Sequence, residues 1–160
     1  MKKKEIFIIL FLFALDQGVK FFMESILQNG SIEIIPSFFS LIWVKNTGAA
    51  WSFFENQTIF LIVISCLCLI FLSVVKNTVK DSAWKFWGTS LLYAGIMGNL
   101  LDRIVFGYVK DYLSFTLFHY HFPVFNLADT FIVIGACLFV VAVLKEESSH
   151  GENHSIRRRN

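Results

Sequence analysis

Four stretches of the chain are dominated by apolar residues, and short polar segments separate them. Ile6–Leu15 is a dense apolar run whose continuation to about Ile26 is interrupted by Asp16 and Lys20. From Asn56 to Val75 there is no charge, and Ile59–Val75 is almost entirely Phe, Leu, Ile, Val and Cys. Phe86–Leu101 is uncharged until Asp102 and Arg103, and Thr130–Leu144 is uncharged but follows directly on Asp129. A helix needs roughly 20 apolar residues to cross a hydrocarbon core. The pattern therefore predicts four transmembrane helices, at about 5–26, 57–75, 84–103 and 128–145. Two shorter stretches read differently. Ser31–Ile35 alternates after Asn29-Gly30 and stops at Pro36, and Phe38–Val44 is aromatic and β-branched, so two short strands are expected there.

Composition agrees with a membrane class. Of 160 residues, 56% are hydrophobic and 16% charged, with 19 Phe, which leaves too little charge to cover a water-facing surface. The net charge of +2, with no basic stripe, argues against a nucleic-acid partner. Cys66, Cys68 and Cys137 all lie in apolar runs and form no CxxC, so they are expected to be buried in the spans, without a disulfide framework or a thiol redox site. Lys2-Lys3-Lys4 ahead of the first run resembles a secretory leader, but no small-x-small cleavage site follows, and an uncleaved first helix is expected.

Lys and Arg set the expected orientation. Ten of the fourteen lie before span one, between spans two and three or at the first turn of span three, or at and after the end of span four, which places both termini in the cytoplasm. The fold expected is thus an all-α integral membrane domain over 1–145 with a small β-containing outer-face region. A polar tail over 146–160 is expected to be disordered.

That topology gathers the acids at one side. Asp16 falls in the outer half of span one, Asp102 and Arg103 at the outer end of span three, Asp129 at the outer start of span four, and Asp111 in the loop between them, while the inner half of every span is apolar. Carboxylates at membrane depth are costly and default to functional candidates. Each also has a plainer reading. Asp16 and Lys20, four apart on a helix, can neutralise each other; Asp102-Arg103 can be a pair that stops a helix. Asp129 can be an N-terminal helix acid, Asp111 an ordinary loop acid, and Asn46, Asn99 and Asn126 helix glue or caps. His119 and His121, with no third ligand at metal spacing, read as interfacial side chains, and no metal is called for.

Five blocks in order now carry a resemblance: Asp16-Gln17-Gly18-Val19-Lys20, Asn46-Thr47-Gly48-Ala49-Ala50-Trp51, Gly95-Ile96-Met97-Gly98-Asn99-Leu100-Leu101-Asp102-Arg103, Val109-Lys110-Asp111-Tyr112, and Phe125-Asn126-Leu127-Ala128-Asp129. In these the chain resembles the bacterial lipoprotein signal peptidases (signal peptidase II). The resemblance implies a membrane-embedded aspartic endopeptidase without a cofactor. It would cleave prolipoproteins just before a cysteine that already carries diacylglycerol, at the outer face of the bacterial plasma membrane. It assigns Asp111 and Asp129 as the catalytic pair, and Asp16, Lys20, Asn46, Gly48, Asn99, Asp102, Arg103 and Asn126 as residues that line or brace the site. Lipid-modified substrates and membrane lipids are the partners implied, with no obligatory protein partner. Lys110, beside the fourth block's Asp, is a polar variation.

Two close carboxylates suit peptide hydrolysis on chemical grounds alone. They cannot both ionise easily, so one keeps a proton and serves as acid while the other serves as base. Two other classes compete. A proton-coupled carrier using Asp16 and Asp129 would place its acids near the midplane and show repeated halves. An assembly subunit would make Asp111→Asn nearly silent.

Overall fold

The structure, a computed structural model, describes residues 2–28, 30–48, 53–118 and 120–157, the last eleven of these as backbone only. Four helices occur in the expected places: α1 (Lys3–Leu27), α2 (Thr58–Val75), α3 (Ala83–Phe106) and α4 (Leu127–Arg157). Each is shifted from its expected limits by at most a few residues, except that α4 does not stop near 145. Its backbone is helical to Arg157. A helix already under way needs no new nucleus, and Lys145 and Glu146 are good helix formers.

α1, α2 and the Leu127–Glu146 part of α4 are long and apolar enough to cross a membrane. Their surfaces are what lipid would solvate: Phe7, Phe11 and Phe21 on α1, Ile59 and Phe71 on α2, and Val133 on α4 are all exposed. α3 has a different character. It is 24 residues long, but apart from Tyr93 its buried residues are small or polar: Gly88, Thr89, Ser90, Ala94, Gly95, Gly98, Asn99 and Asp102. It packs against all three other helices and is the axis of the bundle. Where lipid is as apolar as a side chain, close backbone packing and polar contacts hold helices together instead. At Gly95 an added Cβ would lie 2.5 Å from the Ala128 carbonyl oxygen and 2.8 Å from Ile132 Cγ1, so α3 approaches α4 as closely as a backbone allows. The Ser82 side chain caps the start of α3, accepting from the Lys85 amide at 3.1 Å. Left-handed Gly107 (φ 80°) ends it, donating its N–H to the Arg103 carbonyl.

The β region is larger than expected. β1 (Ile32–Ile35) and β2 (Phe39–Asn46) match the two anticipated strands, but β3 (Val109–Leu117) and β4 (Tyr120–His121) join them in an antiparallel sheet ordered β1-β2-β3-β4. The small β-containing region expected beside the helices is thus a four-stranded sheet at one end of the bundle. A bulge in the β2–β3 ladder between Leu41 and Val44 sets Val44 opposite Asp111.

Two further expectations need correction. Cys66, Cys68 and Cys137 do lie in α2 and α4 but are exposed rather than covered by protein, and Cys68 lines a cavity between α2, α3 and α4. Nor is the end of the bundle away from the sheet wholly apolar. Glu5 there accepts from Lys76 Nζ at 3.0 Å and from Thr89 Oγ1 at 3.1 Å, tying α1, α2 and α3 together.

Candidate active site

Helical periodicity decides what α1 contributes. Its buried residues are Ile9, Asp16, Lys20 and Leu27, spaced by seven, four and seven, which is one stripe of the helix turned toward α3. Asp16 and Lys20 are thereby carried inside, at 0% and 1% exposure. Lys20 uses all three of its donors. Its Nζ lies 3.0 Å from Asp16 Oδ2, 3.0 Å from Asp102 Oδ2 and 2.9 Å from Asn99 Oδ1. Mutual neutralisation of Asp16 and Lys20 is thus real, but Asp102 shares the cation. Gln17 adds a donor to Asp16 Oδ2 at 3.0 Å.

Asp102 and Arg103 do not form a helix-stopping pair. Adjacent residues on a helix point about 100° apart, so Asp102 turns to Lys20 while Arg103 turns to the β2–α2 connection. There Arg103 Nη2 donates to the Gly48 carbonyl at 3.0 Å.

The second group of acids sits on the other side of Asn99. Asn126 and Asp129 cap α4 reciprocally: the Asp129 amide donates to Asn126 Oδ1 at 2.9 Å, and the Asn126 amide to Asp129 Oδ2 at 3.1 Å. The helix-acid reading of Asp129 therefore holds, and it is incomplete. Its free oxygen, Oδ1, accepts from Asn99 Nδ2 at 2.7 Å. Asp111, far from being a loop acid, lies in β3 at 1% exposure. Its Oδ1 accepts from Asn126 Nδ2 at 2.6 Å and its Oδ2 from Asn46 Nδ2 at 2.8 Å. Asn46 in turn accepts the Gly48 amide at 2.9 Å, closing a turn at the end of β2. Asn126 thus touches both acids, and each oxygen of the pair has an N–H donor.

The Asp111 carboxyl is pushed up to about 7. Burial is the larger cause, and the neighbouring Asp129 charge adds to it, against the lowering effect of the two asparagine amides. Tyr112 is likewise pushed above its ordinary value by burial, and its hydroxyl accepts the Leu127 amide at 3.1 Å.

A cavity of about 890 Å³ runs from these residues along the bundle between α2, α3 and α4. Asn46, Asn99, Arg103 and Asp129 form its polar end. Leu72, Val75, Ile96, Phe139 and Val140 line the rest, so along α4 it extends from Asp129 to Val140, about 16 Å at the helical rise. Asp129 opens on this space, and Asp111 stands behind it.

The structure therefore gathers Asp16, Lys20, Asn46, Gly48, Asn99, Asp102, Arg103, Asp111, Asn126 and Asp129 at the sheet end of the bundle. His121 is exposed and pairs with Thr116 Oγ1 at 3.0 Å across the β3–β4 ladder, away from the site. His119, Ala49, Ala50 and Trp51 fall outside the described residues. Gln17 and Tyr112 are site neighbours that reading of the sequence did not single out, although each adjoins an acid that was.

The lipid-facing bundle thus has a polar end where buried Asp111 and half-buried Asp129 meet the head of a long apolar cavity. Two solved bacterial membrane enzymes, both obtained by the in meso method, have this fold. One, at 2.3 Å resolution, matches with a TM-score of 0.79 and 34% identity over 91% of this chain and 90% of its own. The other, at 1.9 Å, gives 0.75 and 34% over 89% and 93%. The family model described as signal peptidase (SPase) II matches residues 8–145. Lipoprotein signal peptidases of Staphylococcus aureus strains JH9 and Newman are 36% identical over 151 residues, 92% of this chain and 91% of theirs. The chain belongs to the signal peptidase II family.

Proposed function

We propose that the chain removes the signal peptide from diacylglyceryl-modified prolipoproteins by cutting before the lipidated cysteine, with Asp111 and Asp129 activating water. The observation that carries this is the linkage of two acids from separate elements, β3 and α4, through one residue at the polar mouth of an apolar cavity: Asn126 donates its side-chain amide to Asp111 and its backbone amide to the Asp129 carboxylate. Membrane lipid and an acyl-bearing peptide are the ligands such a cavity suits.

Asp129, as carboxylate, takes a proton from water as the water oxygen attacks the scissile carbonyl carbon. Asp111, whose neutral form burial favours, gives its proton to the carbonyl oxygen. Collapse of the tetrahedral diol returns that proton to Asp111 and passes the Asp129 proton to the leaving nitrogen. The amides of Asn46, Asn99 and Asn126 keep both carboxyl groups in place through the exchange.

The same reading makes α3 a fourth span. It is long enough, and its polar face is shielded by the other three helices. With both termini cytoplasmic, as the distribution of Lys and Arg suggests, the site opens at the outer face of a bacterial membrane. The collection of acids at one end suits surface cleavage better than midplane carriage of protons.

The test is cleavage in detergent of a diacylglyceryl-modified precursor beside the same precursor left unmodified. Cleavage only of the modified form, with the lipidated cysteine as the new N-terminus, is expected. Equal cleavage of both would remove lipid from the recognition, and cleavage of neither by folded protein would sink the proposal.

A further inference from the structure

Asp111 stands in β3 between two residues whose side chains leave the opposite face of the strand. On one side is Tyr112, held to the start of α4 through the Leu127 amide. On the other is Lys110, only 6% exposed. Its Nζ lies 2.6 Å from Glu24 Oε2, near the end of α1, and 4.0 Å from the centre of the Phe106 ring in the last turn of α3. Its backbone amide donates to Asp102 Oδ2 at 3.2 Å, the oxygen that also meets Lys20. The residue before Asp111 is therefore fastened to α1 by charge and to α3 by a ring and a carboxylate.

The peptide that joins Lys110 to Asp111 has little freedom left once both are engaged. Asp111 must reach Asn46 on β2 and Asn126 on α4 together, at 2.8 and 2.6 Å, so a small rotation of the strand would break one bond or the other. Among the described residues, Glu24 is the only acid paired with Lys110. The pair has side-chain exposures of 7% and 25%, dry enough to hold geometry.

We propose that Lys110 is a positioning residue for the peptidase reaction, set by its ion pair with Glu24, and that it fixes the placement of Asp111 from behind. The inference rests on the catalytic reading of Asp111. Lys110→Met keeps the stem over Phe106 and removes the charge. Ångström-scale misplacement of a reacting group costs up to about a hundredfold in rate. The variant is expected to lose about ten- to a hundredfold in kcat on lipid-modified precursor, with KM within about twofold. Lys110→Arg is expected to recover most of the rate, as is the exchanged pair Lys110→Glu with Glu24→Lys, whereas Lys110→Glu alone sets two acids together and should be the slowest.

Amide hydrogen exchange supplies an arm that does not depend on cleavage. In Lys110→Met the 109–113 segment should exchange faster while the inner turns of α1 and α4 do not. Unchanged exchange there, an unchanged kcat, or an exchanged pair no faster than Lys110→Glu would each overturn the proposal. Exchange rising throughout the bundle would do the same, because it would show a general structural role. If the wild type cleaves nothing, the peptidase reading falls, and exchange alone decides whether Lys110 holds the strand.

Discussion

Lys20 is the most consequential single cation in the bundle. Lys20→Met preserves its length and most of its volume while removing three donors from a place with 1% exposure. Asp16 and Asp102, both at 0%, then face each other with neither retaining the cation now 3.0 Å from each. Removing one partner of a buried ion pair costs about 3–5 kcal/mol, and here two carboxylates lose the same cation, which points to the upper end, about 5 kcal/mol. For a chain of this size each kcal/mol lowers the melting temperature by about 2–4 °C, so a drop of about 10–20 °C is expected. Unfolding in detergent, followed by tryptophan fluorescence, measures it. Charge balance makes a second demand. Lys20→Met combined with Asp16→Asn restores the net charge of the cluster and should recover about half of the loss. A Lys20→Met melt within about 2 °C of wild type would show that the cluster is not held by charge. A double variant no better than the single one would show that shape, rather than charge, accounts for the loss.

Three other perturbations test separate links. Asp111 is pushed up to about 7 in the folded protein from 3.8, so the native state binds the extra proton between those values. Its favourable share of stability is present below about pH 4 and is lost as pH rises through 7, on the order of 4 kcal/mol in all. Asp111→Asn should flatten that part of a stability–pH curve, and an unaltered curve would contradict the shift. Cleavage that needs the neutral acid should likewise decline above about pH 7, and a rate still rising there would remove Asp111 as proton donor. Asn126→Ala removes the cap of α4 and one donor to Asp111. A loss of about 2–4 kcal/mol is expected, against about 1 for a cap alone, and a melt shift no larger than a cap's would count against the shared role. Gly95→Val forces a branched side chain against the Ala128 carbonyl and Ile132, with a cost of at least about 1–3 kcal/mol by thermal melt; a neutral result would mean that α3 and α4 are not in such close contact there.

The parts of the fold that were legible in the sequence are those set by local pattern. α2 needs nothing beyond its own uncharged run, and β1 and β2 follow from alternation after Asn29-Gly30. β3 was hidden because Lys110 and Asp111 look like a polar loop. Only Glu24, Asn46 and Asn126, distant in sequence, make burial of that pair tolerable. From Leu113 to Leu117 apolar residues do alternate with Ser114 and Thr116, and that short signal was readable. The polar face of α3 misled in the same direction. Asn99, Asp102 and Arg103 suggested a helix ending near residue 103, and α3 does end at Phe106 in an exposed last turn, but Asn99 and Asp102 are buried against the other helices. The candidate acids were visible as residue types. Their assignment to two groups, one closed around Lys20 and one open on the cavity, depends on directions around α1 and α3 that no spacing rule supplies for a strand such as β3.

The central claim is that Asp111 and Asp129 together carry the chemistry. Its most direct test is cleavage of diacylglyceryl-modified prolipoprotein by wild type, Asp111→Asn and Asp129→Asn, each confirmed as folded by thermal melt. Cleavage by wild type, lost in both folded variants, is the predicted result. Cleavage that survives in either folded variant would contradict the claim and move the chemistry to other groups, with Asp16 and Asp102 the next to be substituted.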